Sequence, residues 1–309
     1  MRIPSLIAFA FVGNGSDSLI YIGLFGLFQQ ISATVYDISY TVDFSKVKHS
    51  EHAGREIGVM QQIEKAARVA SPLVGGAIAS VWSPQVAIVI ASGLFAVAAI
   101  PLFRTIEPTA TRNRLRIEGF PWRLAAPTLI SQTVVGVDFI ASGLAWTLFI
   151  TVVVFTNLGS NLYAALGGLS SLGVLVSIAA AWIFGRLIDR HHGGVLLVGG
   201  TLMNVLVHVA RPFVSTPIGV LTTNVLNETA TSAYVMPFTR VTFDIADTSG
   251  FRITYFMFSE MMLSLGAMLG CLVLAASVVV GGVPAGFVAM FFIAAVYELL
   301  MLVTTRAAR

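Results

Sequence analysis

The chain has 309 residues, of which 56% are hydrophobic and 11% are charged, with a formal net charge of +3. Soluble globular domains carry about 25% charged residues, so this composition excludes an ordinary soluble protein. The mean hydropathy is +0.86, and apolar runs fill almost the whole length. Because these runs are continuous and do not alternate with period two, they predict membrane helices.

Nine membrane spans are predicted after a short opening stretch at 3–13, since about 20 apolar residues cross a bilayer core. The predicted fold class is therefore an all-α, polytopic membrane helix bundle. In the fourth span, Pro127 favours a tilted helix or an interfacial turn over two separate spans. The spans lie at about 17–38, 57–80, 84–104, 127–156, 161–184, 195–213, 217–238, 253–280 and 285–305.

Lys and Arg residues are concentrated in every second loop between these spans. The loops on the opposite side contain no Lys or Arg, except Arg211 at one edge. The positive-inside rule makes the cation-rich side cytoplasmic and predicts a multi-pass protein of the cell membrane. Fourteen of the 18 Lys and Arg residues lie on that side: Lys46, Lys48, Arg55, Arg104, Arg112, Arg114, Arg116, Arg123, Arg186, Arg190, Arg240, Arg252, Arg306 and Arg309.

A basic, proline-containing stretch at 105–123 divides the chain. It predicts a cytoplasmic linker between a first bundle at 1–104, with a stub and three spans, and a second bundle of six spans at 124–309. The linker could also touch anionic lipid, but an orientation signal on a solvated linker is the favoured explanation of its charge.

One loop carries a family resemblance. Gly185-Arg186-Leu187-Ile188-Asp189-Arg190 resembles the Gly-x-Leu-Ala-Asp-Arg signature of the major facilitator superfamily. In that family the loop joins the second and third helices of each six-helix half on the cytoplasmic side, which matches its predicted position here. The sequence departs from the pattern at its end, where His191-His192-Gly193-Gly194 replaces a glycine followed by basic residues.

A second signature lies in the second span. Ser71-Pro72-Leu73-Val74-Gly75-Gly76 is similar to the Gly-Pro-x-x-Gly-Gly pattern of the family's fifth helix, with serine replacing the first glycine. The resemblance implies that residues 124–309 form a complete C-terminal half. It also implies that the first two helices and part of the third are missing, so a truncated reading frame is expected over a naturally short form.

The second span carries a polar cluster. Gln61, Lys65 and Arg68 fall on one helical face, and Glu64 lies four residues before Arg68. This face could line a cavity that binds an anionic substrate or pairs with a proton-coupling acid. If the helix begins later, the same residues lie in the cytoplasm.

Asp138 is the sharpest single candidate, because it lies deep in a long apolar run where a charge is costly. It predicts a coupling carboxylate or a structural partner for Lys65 or Arg68. Asn224, Asn227 and Glu228 predict a polar patch on a helix that, by the resemblance, lines the cavity. Gln29 is a further candidate for hydrogen bonding to substrate. Asn204, His208 and Glu298 fall on helices that the resemblance makes peripheral, so packing is expected of the first two.

The Gly185–Arg190 loop is predicted to act in gating, because Asp189 and Arg190 could pair with a helix end and favour one state of a transport cycle. The predicted function is secondary active transport of an unidentified small solute by alternating access, with proton coupling through Asp138 or Glu228 as one possibility. The alternative is a transport-inactive membrane protein that acts as a partner or scaffold. We expect no enzyme activity, cofactor, metal or nucleic-acid partner.

Overall fold

Every regular element in the described part of the chain is helical. The computed structural model describes residues 2–12, 15, 17–47, 53–102, 116–156, 159, 161–189 and 192–306. A 3₁₀ helix at Leu299–Arg306 ends this part. The α-helices are α1 (Arg2–Ala10), α2 (Ser18–Val47), α3 (Ala53–Val81), α4 (Pro84–Leu102), α5 (Trp122–Asp138), α6 (Trp146–Phe149), α7 (Asn161–Asp189), α8 (Gly193–Ala210), α9 (Pro217–Ser249) and α10 (Arg252–Glu298).

Within the part of the chain that the structure describes, six helical stretches are long and apolar enough to cross a membrane. The all-α prediction is therefore confirmed, and the stretches fit a membrane protein. The count of nine spans stays a prediction, because α9 is not among the six and the apolar part of α3 is shorter than the others. The six are Ser18–Tyr36, Pro84–Pro101, Trp122–Val154, Asn161–Leu187, Gly193–Phe213 and Arg252–Thr304.

The helix α10 bends sharply at Gly282, whose φ of 77° and ψ of 172° are not helical. Glycine adopts this conformation readily because it has no Cβ. The bend coincides with the connection predicted between the last two spans. Beyond it, a Cβ on Gly286 would lie only 2.7 Å from the Cα of Val278, so the two arms approach closely beside the bend.

The long fourth predicted span is one continuous helical stretch that changes its winding three times. It begins as α5, widens to a π-helix at Phe139–Ala145, returns to α in α6 and widens again at Ile150–Val154. Pro127 lies inside α5 and does not end it. π-Helical turns are rare and frequently occur at functional sites, so residues 139–154 are a candidate functional segment.

The chain divides into two compact units. The first comprises Met1–Asn113 and Ser160–Ser171. Within it, the rings of Phe9 and Phe25 lie 4.6 Å apart between α1 and α2. The start of α7 packs against α3 through glycine, because a Cβ on Gly167 would overlap the backbone of Pro72.

The second unit comprises Arg114–Gly159 and Leu172–Arg309. Here α5 packs against the first arm of α10, where a Cβ on Gly266 would overlap the backbone of Thr133. The helices α8 and α9 approach in the same way at Gly200, where a Cβ would lie 2.6 Å from the backbone nitrogen of Tyr234. Small residues thus allow backbone contact where apolar side chains alone would hold helices apart.

Candidate functional site

A cluster of buried polar side chains lies inside the second unit. We call it the Asp138 cluster, and its centre is formed by Asp138, His208 and Arg211, of which His208 and Arg211 are fully buried and Asp138 is 5% exposed. The cluster draws on four regions: α5 with the following π-helix, the end of α8 with Arg211, the first half of α9, and the end of α10. Its other members are Ser142, Trp146, Asn204, Asn224, Asn227, Tyr234 and Glu298.

Asp138 accepts hydrogen bonds on both carboxylate oxygens. Ser142 donates to Oδ1 at 2.6 Å, and Tyr234 donates to Oδ2 at 2.6 Å. His208 Nε2 lies 3.0 Å from Oδ1. These bonds satisfy a buried carboxylate, which is otherwise costly in an apolar interior.

His208 links Asp138 to Arg211. The guanidinium NH1 of Arg211 lies 2.8 Å from His208 Nδ1. Arginine can only donate, so Nδ1 accepts, and a neutral imidazole then carries its proton on Nε2, facing Asp138. The geometry therefore assigns the tautomer and makes a relay from Arg211 through His208 to Asp138.

Arg211 is held from several sides. Its NH2 group donates to Ser142 at 3.0 Å and to Asn227 Oδ1 at 2.8 Å. The guanidinium carbon lies 5.3 Å from the Trp146 ring centroid and 5.6 Å from that of Phe291. Aromatic faces attract a buried cation, so these rings help to compensate for the water that Arg211 has lost.

Two of the three predicted polar residues of α9 contact this cluster. Asn227 binds Arg211, and Asn224 Oδ1 accepts from the Trp146 indole at 2.6 Å. Glu228 lies instead against α7, where a Cβ on Gly173 would come within 3.3 Å of its Cγ. The structure thus brings Asp138, Asn224 and Asn227 into one cluster and places Glu228 on another face of α9.

Glu298 approaches the cluster from the end of α10. It is 1% exposed, and a carboxylate oxygen lies within 4.8 Å of ligand atoms of both Asp138 and His208. Its Oε1 has no hydrogen-bond partner among the described residues. Asn204 adjoins Glu298, and neither polar atom of its amide has a partner in the same described part.

The periodicity of α8 explains why these residues meet. Thr201, Asn204 and His208 recur at three and four residues and therefore share one face of the helix, and all three are fully buried. Arg211 continues this face at the end of the stretch. On α5, Asp138 is the last α-helical residue, and Ser142 follows within the π-helix.

Other predicted site residues lie elsewhere. In the first unit, Ser5 donates to Gln29 Oε1 at 3.2 Å, and the side chain of Arg68 is exposed. A Cβ on Gly185 would lie 3.9 Å from the Met236 side chain. The side chains of Gln61, Glu64, Lys65 and Asp189, and the whole of Arg190, lie outside the described part of the structure.

Sequence reasoning missed the partners of Asp138. The sequence predicts packing for His208, a loop edge for Arg211 and a peripheral helix for Glu298. A signal was nevertheless present, because Asn204, His208 and Arg211 continue one helical face across an apolar run. No sequence period connects that face with Glu298, since the contact depends on how separate helices pack.

Neither a known protein family nor a curated protein sequence matches this chain.

Proposed function

We propose that this protein is a secondary active transporter that moves a small solute across a membrane by alternating access. The resemblance of the Gly185–Arg190 loop and of Ser71–Gly76 to major facilitator signatures supports the proposal. The observation that carries it is the Asp138 cluster, a set of buried ionisable groups within long apolar helices.

Ionisable side chains in such helices are costly. A charged residue at the centre of a membrane helix costs roughly 2.5–3.5 kcal/mol on insertion scales. Hydrogen bonds among Asp138, His208 and Arg211 offset part of this cost, but a core of apolar side chains would avoid it altogether. Residues of this kind in membrane helices commonly serve ion or substrate pathways, which supports a role for the cluster in transport.

The winding of the helix beside Asp138 supports the same proposal. The π-helix at Phe139–Ala145 contains Ser142, which bonds to Asp138 and Arg211. A π-turn can return to α-helical winding by a one-residue shift, so this segment offers a way to move Ser142 between states. In the proposed cycle, the cluster and the π-helix change together as access to the solute alternates.

The proposal can be tested without knowing the solute. Liposomes containing the purified protein would be incubated with a mixture of small metabolites under imposed sodium and proton gradients, and internal solutes identified by mass spectrometry. We expect at least one solute to accumulate above the level in protein-free liposomes. Folded protein that moves no solute under any gradient would contradict transport and favour the partner or scaffold function.

A further inference from the structure

The Asp138 cluster contains fewer positive than negative groups. Arg211 contributes one permanent positive charge. Asp138 and Glu298 contribute two carboxylates, and the bond from Arg211 to His208 Nδ1 is that of a neutral imidazole. Among the described residues, the cluster therefore lacks one positive charge when both carboxylates are ionised. An uncompensated charge in a buried site is strongly unfavourable, so one further positive charge is required, carried by either a proton or a bound cation.

Unpartnered polar atoms occur on the Glu298 side of the cluster. Glu298 Oε1, Asn204 Oδ1 and Thr201 Oγ lack hydrogen-bond partners among the described residues, and so do two donors, Asn204 Nδ2 and Arg211 Nε. Thr201 and Asn204 are fully buried, and Glu298 is 1% exposed. Buried polar atoms are nearly always partnered, so these oxygens call for a shared ligand.

A proton satisfies only part of this requirement. Placed on Glu298, it would balance the charge and let that carboxyl donate one hydrogen bond, for example to Asn204 Oδ1, but it would not connect Glu298 with Asp138. A cation with several oxygen ligands balances the charge and can contact Glu298, Asn204 and Asp138 together. Because ligand atoms of Asp138 and Glu298 lie within 4.8 Å of each other, one ion can contact both, which favours a bound cation over a proton.

The nature of the cation follows from charge and ligand type. A divalent ion would leave the cluster with one excess positive charge beside Arg211. A transition metal prefers an imidazole nitrogen, but the bond from Arg211 places the proton of His208 on Nε2, the nitrogen that faces Asp138. Carboxylate and amide oxygens are hard ligands that suit hard cations.

We propose that Glu298, Asn204 and Asp138 form a binding site for one monovalent alkali cation of the sodium class. In the proposed transport cycle this ion is the coupling ion, a role that rests on the proposed function. Binding itself does not depend on transport and can be measured in protein that is not moving any solute.

The first test uses the unaltered protein in detergent. Its apparent melting temperature would be measured in NaCl, KCl and choline chloride at equal ionic strength. We expect sodium to raise it in a saturable way by about 3 °C or more relative to choline, as a ligand that binds only the folded state does. Equal values in all three salts would overturn the site. Stronger stabilisation by micromolar Zn²⁺ or Mn²⁺ would overturn its assignment to an alkali cation.

Two variants locate the site. Glu298→Gln removes the excess negative charge, so we expect it to be at least as stable as the parent in choline and to lose the response to sodium. Asn204→Leu should weaken sodium binding at least about 10-fold, since it removes one ligand. The matched control is Glu260→Gln, which neutralises a carboxylate on the same helix, outside the Asp138 cluster, and should keep the full sodium response.

The remaining outcomes are also decisive. A sodium response that survives in Glu298→Gln would place the ion elsewhere and overturn the proposal. If Glu298→Gln does not fold, radioactive ²²Na⁺ binding by the parent and by Asn204→Leu decides, and equal affinities would overturn it. Sodium binding without any solute uptake would support the ion site and contradict transport. Solute uptake without sodium binding would support transport and overturn the ion site.

Discussion

The Arg211 guanidinium donates to Nδ1 of His208 at 2.8 Å and thereby assigns the imidazole proton to Nε2. His208 can then donate to Asp138, 3.0 Å away. One contact between α8 and the 3₁₀ turn that follows it at Arg211–Phe213 thus sets the direction of a hydrogen-bonded relay to Asp138 on α5.

Replacing Arg211 by glutamine should destabilise the protein by about 3 kcal/mol, because it leaves Asp138 as an uncompensated buried charge. The double variant Arg211→Gln with Asp138→Asn should recover part of this loss, since neither charge remains. Chemical denaturation in detergent of the parent, both single variants and the double variant measures the coupling. Additive losses would show that the two charges do not depend on each other.

Tyr234→Phe should lower the free energy of unfolding by about 1.5–3 kcal/mol, because the hydroxyl donates to the Asp138 carboxylate at 2.6 Å. Tyr255→Phe is the matched control. Its hydroxyl lies 2.6 Å from that of Thr128, and a bond between neutral groups contributes about 0.5–1.5 kcal/mol. An equal or larger loss in Tyr255→Phe would contradict ionisation of Asp138.

Neighbouring glycines of α8 provide a test of the helix packing. A Cβ on Gly200 would lie 2.6 Å from the Tyr234 backbone nitrogen, whereas one on Gly199 would meet nothing within 4 Å. Gly200→Ala should therefore destabilise the protein by about 1–3 kcal/mol. Gly199→Ala should be neutral or stabilising by up to about 1 kcal/mol, since alanine favours helix. Similar melting temperatures for the two variants would contradict the close approach of α8 and α9.

The loop resemblance predicts the effect of Asp189→Ala. If this residue helps to hold one state of the transport cycle, the substitution should change the transport rate and the balance of inward- and outward-facing forms, with membrane insertion intact. Rates can be measured in proteoliposomes and the balance by accessibility labelling from each side. Unchanged values for both would contradict a gating role.

Long apolar runs in the sequence were sufficient to predict the helical class and the burial of Asp138, because both are local signals. The sequence also pointed to Asn224 and Asn227, which share a helix with Tyr234. It could not pair Asp138 with His208, Arg211 or Glu298, since those contacts depend on which helices are neighbours. The π-helix was equally inaccessible, because apolar composition alone does not distinguish α from π winding.

The most direct test of transport through Asp138 measures solute accumulation by proteoliposomes that contain the parent protein or Asp138→Asn. Accumulation would be followed with the sodium gradient, the proton gradient, or both gradients collapsed by ionophores. We expect gradient-driven accumulation by the parent and at least about a 10-fold loss in Asp138→Asn, with Glu118→Gln, an exposed carboxylate, as control. Uptake that is unchanged by the Asp138 substitution and by collapse of both gradients would contradict transport through Asp138.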